Sequence, residues 1–186
     1  MVSERKYEKN MSENAKSGID TVRIAGVYRE SIVDGPGIRF TIFSQGCEHA
    51  CPGCHNPETH DFNGGYDCKI DRIVEEVLKN PLIDGVTLTG GDPVFQAEGF
   101  AKLAYRLKQH GLNILLYTGF TYEELLQKAK EDPHTAMLME QLDYLIDGRF
   151  ILEERDLTLL FRGSRNQRFI DMNATREQGR ITLYKE

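Results

Sequence analysis

Ile38-Arg39-Phe40-Thr41-Ile42-Phe43-Ser44-Gln45-Gly46-Cys47-Glu48-His49-Ala50-Cys51-Pro52-Gly53-Cys54-His55-Asn56-Pro57 runs from an alternating apolar segment straight into a cysteine-bearing loop. The first seven residues read as a strand. Three of the chain's four cysteines then fall within eight residues, spaced C-x3-C-x2-C. Pro52 and Gly53 let such a loop curl until its sulfurs face one centre, which suits a metal ion or an iron–sulfur cluster. Residues just beyond the carboxyl end of a strand are where α/β folds keep their chemistry.

Outward from this stretch the chain alternates between strand and helix patterns. Upstream, Thr21–Tyr28 reads as a first strand, separated from the second by the turn signal Asp34-Gly35-Pro36-Gly37. Downstream, Tyr66–Lys69 leads into a helix with Ile70, Ile73, Val74, Val77 and Leu78 at helical spacing. Gly85–Thr89 is a short strand broken by Gly90-Gly91-Asp92-Pro93, and a second helix presents Phe100, Leu103, Ala104 and Leu107 on one face. Leu112–Thr118 is a near-continuous apolar strand of the kind buried on both faces of a parallel sheet. Thr121-x-x-Glu124 is a capping box, a further helix covers His134–Leu142, and Asp143–Gly148 supplies another strand and turn. Gln167–Asp171 is read as the last strand. Together these imply an α/β protein with a largely parallel sheet. A full eight-fold barrel needs about 250 residues, so any barrel in this chain is a partial one, smaller than a TIM barrel.

The 186 residues amount to one domain, placed at residues 19–186 behind a polar, disordered tail at residues 1–18. A net charge of −6 argues against a nucleic-acid binder, which would carry a basic face. No apolar run approaches the ~20 residues that span a bilayer, and the polar first residues contain no signal-peptide core. The expected location is the cytoplasm, where clustered cysteines bind metal more often than they pair. Spacing alone leaves zinc and a cluster both open. Zinc would need a fourth ligand from Cys68, His49, His55 or His60, whereas a cubane held by Cys47, Cys51 and Cys54 keeps one iron free for substrate.

The C-x3-C-x2-C motif directly after an early strand resembles the signature of radical S-adenosylmethionine enzymes. More narrowly, Asp34-Gly35-Pro36-Gly37-Ile38-Arg39, Gly46-Cys47 and Cys51-Pro52-Gly53-Cys54-His55-Asn56-Pro57-Glu58-Thr59 resemble the activating proteins of anaerobic ribonucleotide reductase. The likeness continues at Thr89-Gly90-Gly91-Asp92-Pro93, Tyr117-Thr118-Gly119, Asp147-Gly148-Arg149-Phe150 and Arg162-Gly163-Ser164-Arg165-Asn166-Gln167, covering about residues 20–171.

This resemblance implies a partial (β/α) barrel of the radical S-adenosylmethionine type. It implies that Cys47, Cys51 and Cys54 hold a [4Fe–4S] cluster and that S-adenosylmethionine completes the free iron. One electron would then yield a 5′-deoxyadenosyl radical, which takes hydrogen from a glycine in the large subunit of the reductase. Gly53, Cys54 and His55, with Gly90, Gly91 and Asp92, are the implied cofactor contacts, the last three at the amino group of the methionine part. The implied electron donor is a small protein such as a flavodoxin; no nucleic acid or membrane is involved. Tyr117 either lines the cofactor pocket or belongs to the core. Arg162, Arg165 and Arg168 either meet an acidic group or stay solvated. Asp34–Gly37 is expected at the rim where the partner's glycine loop enters, and Cys68 is expected to be a non-ligand. The competing readings are an activating enzyme of pyruvate formate-lyase and, in another class, a zinc-binding interaction module.

Overall fold

The computed structural model describes residues 19–185, so the tail read at residues 1–18 lies outside the described residues. The chain enters as β1 (Thr21–Ser31), reverses through Asp34–Gly37 and returns antiparallel as β2 (Arg39–Ser44). The cysteine loop leads to β3 (Tyr66–Lys69) and α1 (Ile70–Leu78), then β4 (Gly85–Gly90), α2 (Ala97–Lys108) and β5 (Asn113–Tyr117). Two helices, α3 (Tyr122–Glu131) and α4 (Pro133–Gln141), precede β6 (Tyr144–Asp147). A long irregular strap ends in β7 (Arg168–Asp171) and α5 (Met172–Gln178).

These strands form one seven-stranded sheet ordered β3-β1-β2-β4-β5-β6-β7. β2, β4, β5 and β6 run parallel, joined by helices as parallel neighbours require. β1, β3 and β7 pair antiparallel. The sheet is therefore mixed, with a parallel centre, because the short β1–β2 turn can connect antiparallel strands only. Tyr66–Lys69 is a strand in its own right, an exposed edge segment whose pairing with Thr21–Ile24 no apolar alternation announces. α5 also escaped the pattern: its seven residues are held by Asp171 accepting from Ala174 N and by Gly179 in the left-handed region.

Alternation along the strands divides the sheet into two unequal faces. Ile24, Ile42, Leu88, Leu116 and Leu145 face the helices and form the main core with Ile73, Phe100 and Leu103. Phe100 and Leu103 are fully buried, so truncating either to alanine costs about 2–5 kcal/mol. The other face carries a smaller apolar cluster at Leu115, Ile146 and Phe169.

At the amino-terminal end of the parallel strands this second face is closed by Arg39, which has no exposed surface. Its guanidinium donates to Thr87 Oγ1 at 2.6 Å, Asn113 Oδ1 at 2.7 Å, Val86 O at 2.8 Å and Pro36 O at 3.1 Å. Burial pulls its pKa down to about 10. A charge this deep is tolerated because its donors are satisfied.

Candidate functional site

The cysteine loop starts where β2 ends and is fastened at its base by backbone bonds. Gly46 N donates to Thr59 O at 2.8 Å and Cys47 N to His60 O at 3.1 Å, so the loop closes on itself. Gln45, nearly fully buried, donates its amide to Glu58 O at 3.1 Å and Asp61 O at 2.6 Å. Within the loop, Cys54 N donates to Cys51 O at 3.1 Å across Pro52 and Gly53. Gly53 sits at φ +73°, so this is the type II turn that a Pro-Gly pair favours. Ala50 is also left-handed, at φ +47°.

Cys47, Cys51 and Cys54 are free and partly buried on this loop. Asn56 N donates to Cys54 Sγ at 3.4 Å, the kind of contact that steadies a thiolate ligand. Burial pushes the Cys47 thiol up to about 11, so iron would displace a proton on binding it. Soft, half-buried donors on one closed loop, one of them already accepting a backbone N–H, fit an iron–sulfur cluster. Among the described residues no three His, Cys, Asp or Glu side chains converge on a point where a single metal ion would sit. Cys68 stands opposite Val22 and packs against the main core.

Gly90 and Gly91 lie beneath the loop. A Cβ on Gly90 would come within 2.7 Å of Phe43 Cα and Ser44 N, and one on Gly91 within 2.5 Å of Gly46 O. The space a side chain would need at either glycine is filled by the end of β2 and the start of the loop, and two bonds join them: Gly91 N donates to Ser44 O at 2.8 Å and Asp92 N to Gly46 O at 2.9 Å.

The Asp92 carboxylate is 1% exposed and turned into the protein. Oδ1 accepts from Val94 N at 3.0 Å, which caps the short 3-10 turn Pro93–Gln96. Oδ2 lies 2.8 Å from His49 Nε2 and accepts from Thr118 Oγ1 at 2.7 Å and Gly119 N at 3.0 Å. His49 is itself buried and packs edge-on against Phe120, 4.6 Å between centroids. Gly119 has no room for a side chain because the His49 ring would lie 2.4 Å from its Cβ. His49 entered the sequence argument only as a possible zinc ligand, and nothing local distinguishes a histidine that reaches a distant aspartate.

On the second face of the sheet lies a cavity of about 1070 Å³, walled by Tyr28, Asp34, Phe43, Thr89, Tyr117 and Phe161 among others. His55 and Asn56 bring the cysteine loop to its wall. The His55 ring packs on Phe150 at 5.0 Å between centroids, and Gly163 leaves it space, since a Cβ there would be 3.1 Å from His55 Cε1. Gly53 faces Leu152 and Phe150 of the same strap. Tyr117 is half-buried and lines the cavity; its hydroxyl donates to Phe161 O at 2.7 Å, and desolvation raises its phenol pKa.

The arginines divide. Arg165 pairs with Asp156 and Arg168 with Glu123 and Asp147, while Arg162 lines the cavity. Asp34 also lines the cavity, but its turn precedes β2 and so stands at the opposite end of the sheet from the cysteine loop. Among the described residues no helix is long and apolar enough to cross a membrane.

Residues 33–170 match the family profile of the 4Fe-4S single cluster domain. The chain is similar to the anaerobic ribonucleoside-triphosphate reductase-activating protein of Haemophilus influenzae, 35% identical over 150 residues that cover 75% of this chain and 92% of the relative. The Vibrio cholerae protein of the same name is 37% identical over 148 residues, covering 75% and 92%. That of Enterobacteria phage T4 is 33% identical over 150 residues, covering 76% and 89%. Among solved structures, QueE from Escherichia coli superposes with a TM-score of 0.44 at 16% identity, covering 54% of each chain.

Proposed function

Because the chain belongs to the family of anaerobic ribonucleoside-triphosphate reductase-activating proteins, we propose that it installs a glycyl radical on the large subunit of that reductase. One observation carries this reading: the three-cysteine loop stands at the carboxyl ends of parallel strands, beside a cavity of about 1070 Å³. Cys47, Cys51 and Cys54 would hold the [4Fe–4S] cluster, and Cys68 stays with the core. Loaded there, the cluster would supply the one-electron reduction of S-adenosylmethionine on which glycyl-radical formation depends.

The chain's own residues position and enclose. The Cys51–Cys54 turn and the Asn56 N–H orient the third thiolate. Gly53 and His55 border the nucleoside side, with His55 steadied by Phe150. Gly90 and Gly91 bring the end of β4 against the loop, and this seam would receive the methionine part of S-adenosylmethionine. The open sheet is an arc of a barrel, its second face forming the lumen and Arg39 its floor. The strap lines that lumen with residues 157–163 and limits access of water to it. Asp34 stands on the cavity wall, and its turn shapes the rim where the partner's glycine segment enters. Residues 19–186 act as one domain, in the cytoplasm, with a flavodoxin-type reductant.

The test is anaerobic reconstitution with iron and sulfide, then incubation with reductant, S-adenosylmethionine and the reductase. A brown protein with about four irons per chain and a glycyl radical signal by electron paramagnetic resonance is expected. A colourless protein holding one zinc would overturn the proposal, as would a radical formed on pyruvate formate-lyase alone.

A further inference from the structure

We propose that His49 and Asp92 form a strut that fixes the cluster-binding loop, so that the Asp92 carboxylate acts on the cysteines through His49 and not by touching S-adenosylmethionine. This rests on the preceding proposal that the loop holds a cluster.

Backbone bonds secure the loop at Gly46–Thr59, Cys47–His60, Gly46–Asp92 and the Cys51–Cys54 turn, and among the described residues none of them falls on residues 48–50. The three residues between the first two cysteines, Glu48-His49-Ala50, are anchored by a side chain. His49 reaches from this bridge to Asp92 Oδ2 at 2.8 Å, with 4% and 1% of the two side chains exposed. The same oxygen takes Thr118 Oγ1 and Gly119 N, so one carboxylate joins the loop to the turn after β5. With Val94 N on Oδ1, each oxygen is engaged by donors of the protein itself. With the side chain 1% exposed, an ammonium group would have to open this packing to reach either oxygen.

Packing keeps the imidazole from swinging away. Phe120 lies 4.6 Å and Phe95 5.6 Å from it between centroids, and Gly119 is bare where a methyl would strike the ring. A buried hydrogen bond to a carboxylate, walled by aromatic rings, resists exchange with water. Outer partners of this kind commonly govern metal affinity by roughly 10- to 100-fold. His49 and Asp92 are thus positioning residues for the cluster.

Four variants test the strut: His49→Gln, His49→Asn, Asp92→Ala and the double variant His49→Asn/Asp92→Ala. The glutamine amide reaches about as far as Nε2 and can donate to Asp92, whereas the asparagine amide falls short. Each protein is reconstituted anaerobically, and iron release to a chelator, the electron paramagnetic resonance g-values of the reduced cluster and S-adenosylmethionine affinity per loaded cluster are measured. His49→Asn and Asp92→Ala should each release iron about tenfold faster than wild type with shifted g-values. His49→Gln should match wild type, and the double variant should be no worse than the weaker single one. Affinity of the loaded variants for S-adenosylmethionine should stay within about twofold.

Wild-type release rates in all variants would overturn the strut. So would an Asp92→Ala protein that keeps iron normally but binds S-adenosylmethionine tenfold more weakly. A wild-type chain that takes up no cluster at all overturns the proposed function instead.

Discussion

Replacing Gly91 with alanine tests whether the paired glycines exist for a ligand or for the loop. An ideal Cβ at Gly91 lies 2.5 Å from Gly46 O, 2.9 Å from Gly46 C and 3.0 Å from Gly46 N. Ordinary contact begins near 3.4 Å, so the two chains must part by about 0.9 Å. Two bonds span that seam, Gly91 N to Ser44 O at 2.8 Å and Asp92 N to Gly46 O at 2.9 Å. Opened by that amount, both pass out of hydrogen-bond range. Each is worth about 0.5–1.5 kcal/mol net, so the loss of both costs roughly 1–3 kcal/mol. In a domain of this size 1 kcal/mol moves Tm by about 2–4 °C, which gives a fall of about 2–12 °C. The assay is thermal unfolding of the cluster-free chain followed by circular dichroism. Gly26→Ala is the control: nothing lies within 4 Å of a Cβ there, so its Tm should move by less than about 2 °C. An unchanged Tm for Gly91→Ala, with only S-adenosylmethionine binding lost, would refute the packing argument.

Three other outcomes are expected. Hydrogen bonds from Arg168 hold the Glu123 carboxyl down to about 2, so its stabilisation is complete above its ordinary pKa and fades as pH falls through 2. The Tm gap between wild type and Glu123→Gln should therefore shrink from pH 6 towards pH 2; a constant gap would count against the pair. Cys68→Ser should take up as much iron as wild type in a colorimetric assay, whereas Cys47→Ser, Cys51→Ser and Cys54→Ser should each lose most of it. Tyr117→Phe gives up the 2.7 Å bond to Phe161 O, about 0.5–1.5 kcal/mol, and releases a residue held at φ +60°. Hydrogen exchange at residues 157–163 should speed up accordingly; unaltered exchange would show the strap is held by other contacts.

Most secondary structure was legible because local chemistry dictates it. The capping box at Thr121 forms as read, with Thr121 Oγ1 accepting from Glu124 N and Glu124 Oε2 from Thr121 N. α1 buries Ile70, Ile73, Val74 and Val77 of the stripe its spacing implies, whereas Leu78, in its last turn, is exposed. β3 was missed because an edge strand with an exposed face needs no apolar alternation, only a neighbour, and its neighbour lies more than forty residues away in the chain. The arginine cluster of the sequence also dissolved on folding: Arg165 and Arg168 point to different acids on different elements.

At the site, the sequence by itself determined the donors and the turn that presents them. C-x3-C-x2-C with Pro-Gly between the last two cysteines specifies a short loop with three thiols, since a type II turn and its positive φ are local matters. Only the tertiary structure decided what Gly90, Gly91 and Asp92 touch. Whether a glycine makes room for a ligand or for another chain depends on what lies opposite, and an aspartate's partners are whichever donors the fold brings within reach. Here these are the backbone of Gly46 and the side chains of His49 and Thr118, which meet because β2, β4 and β5 end side by side.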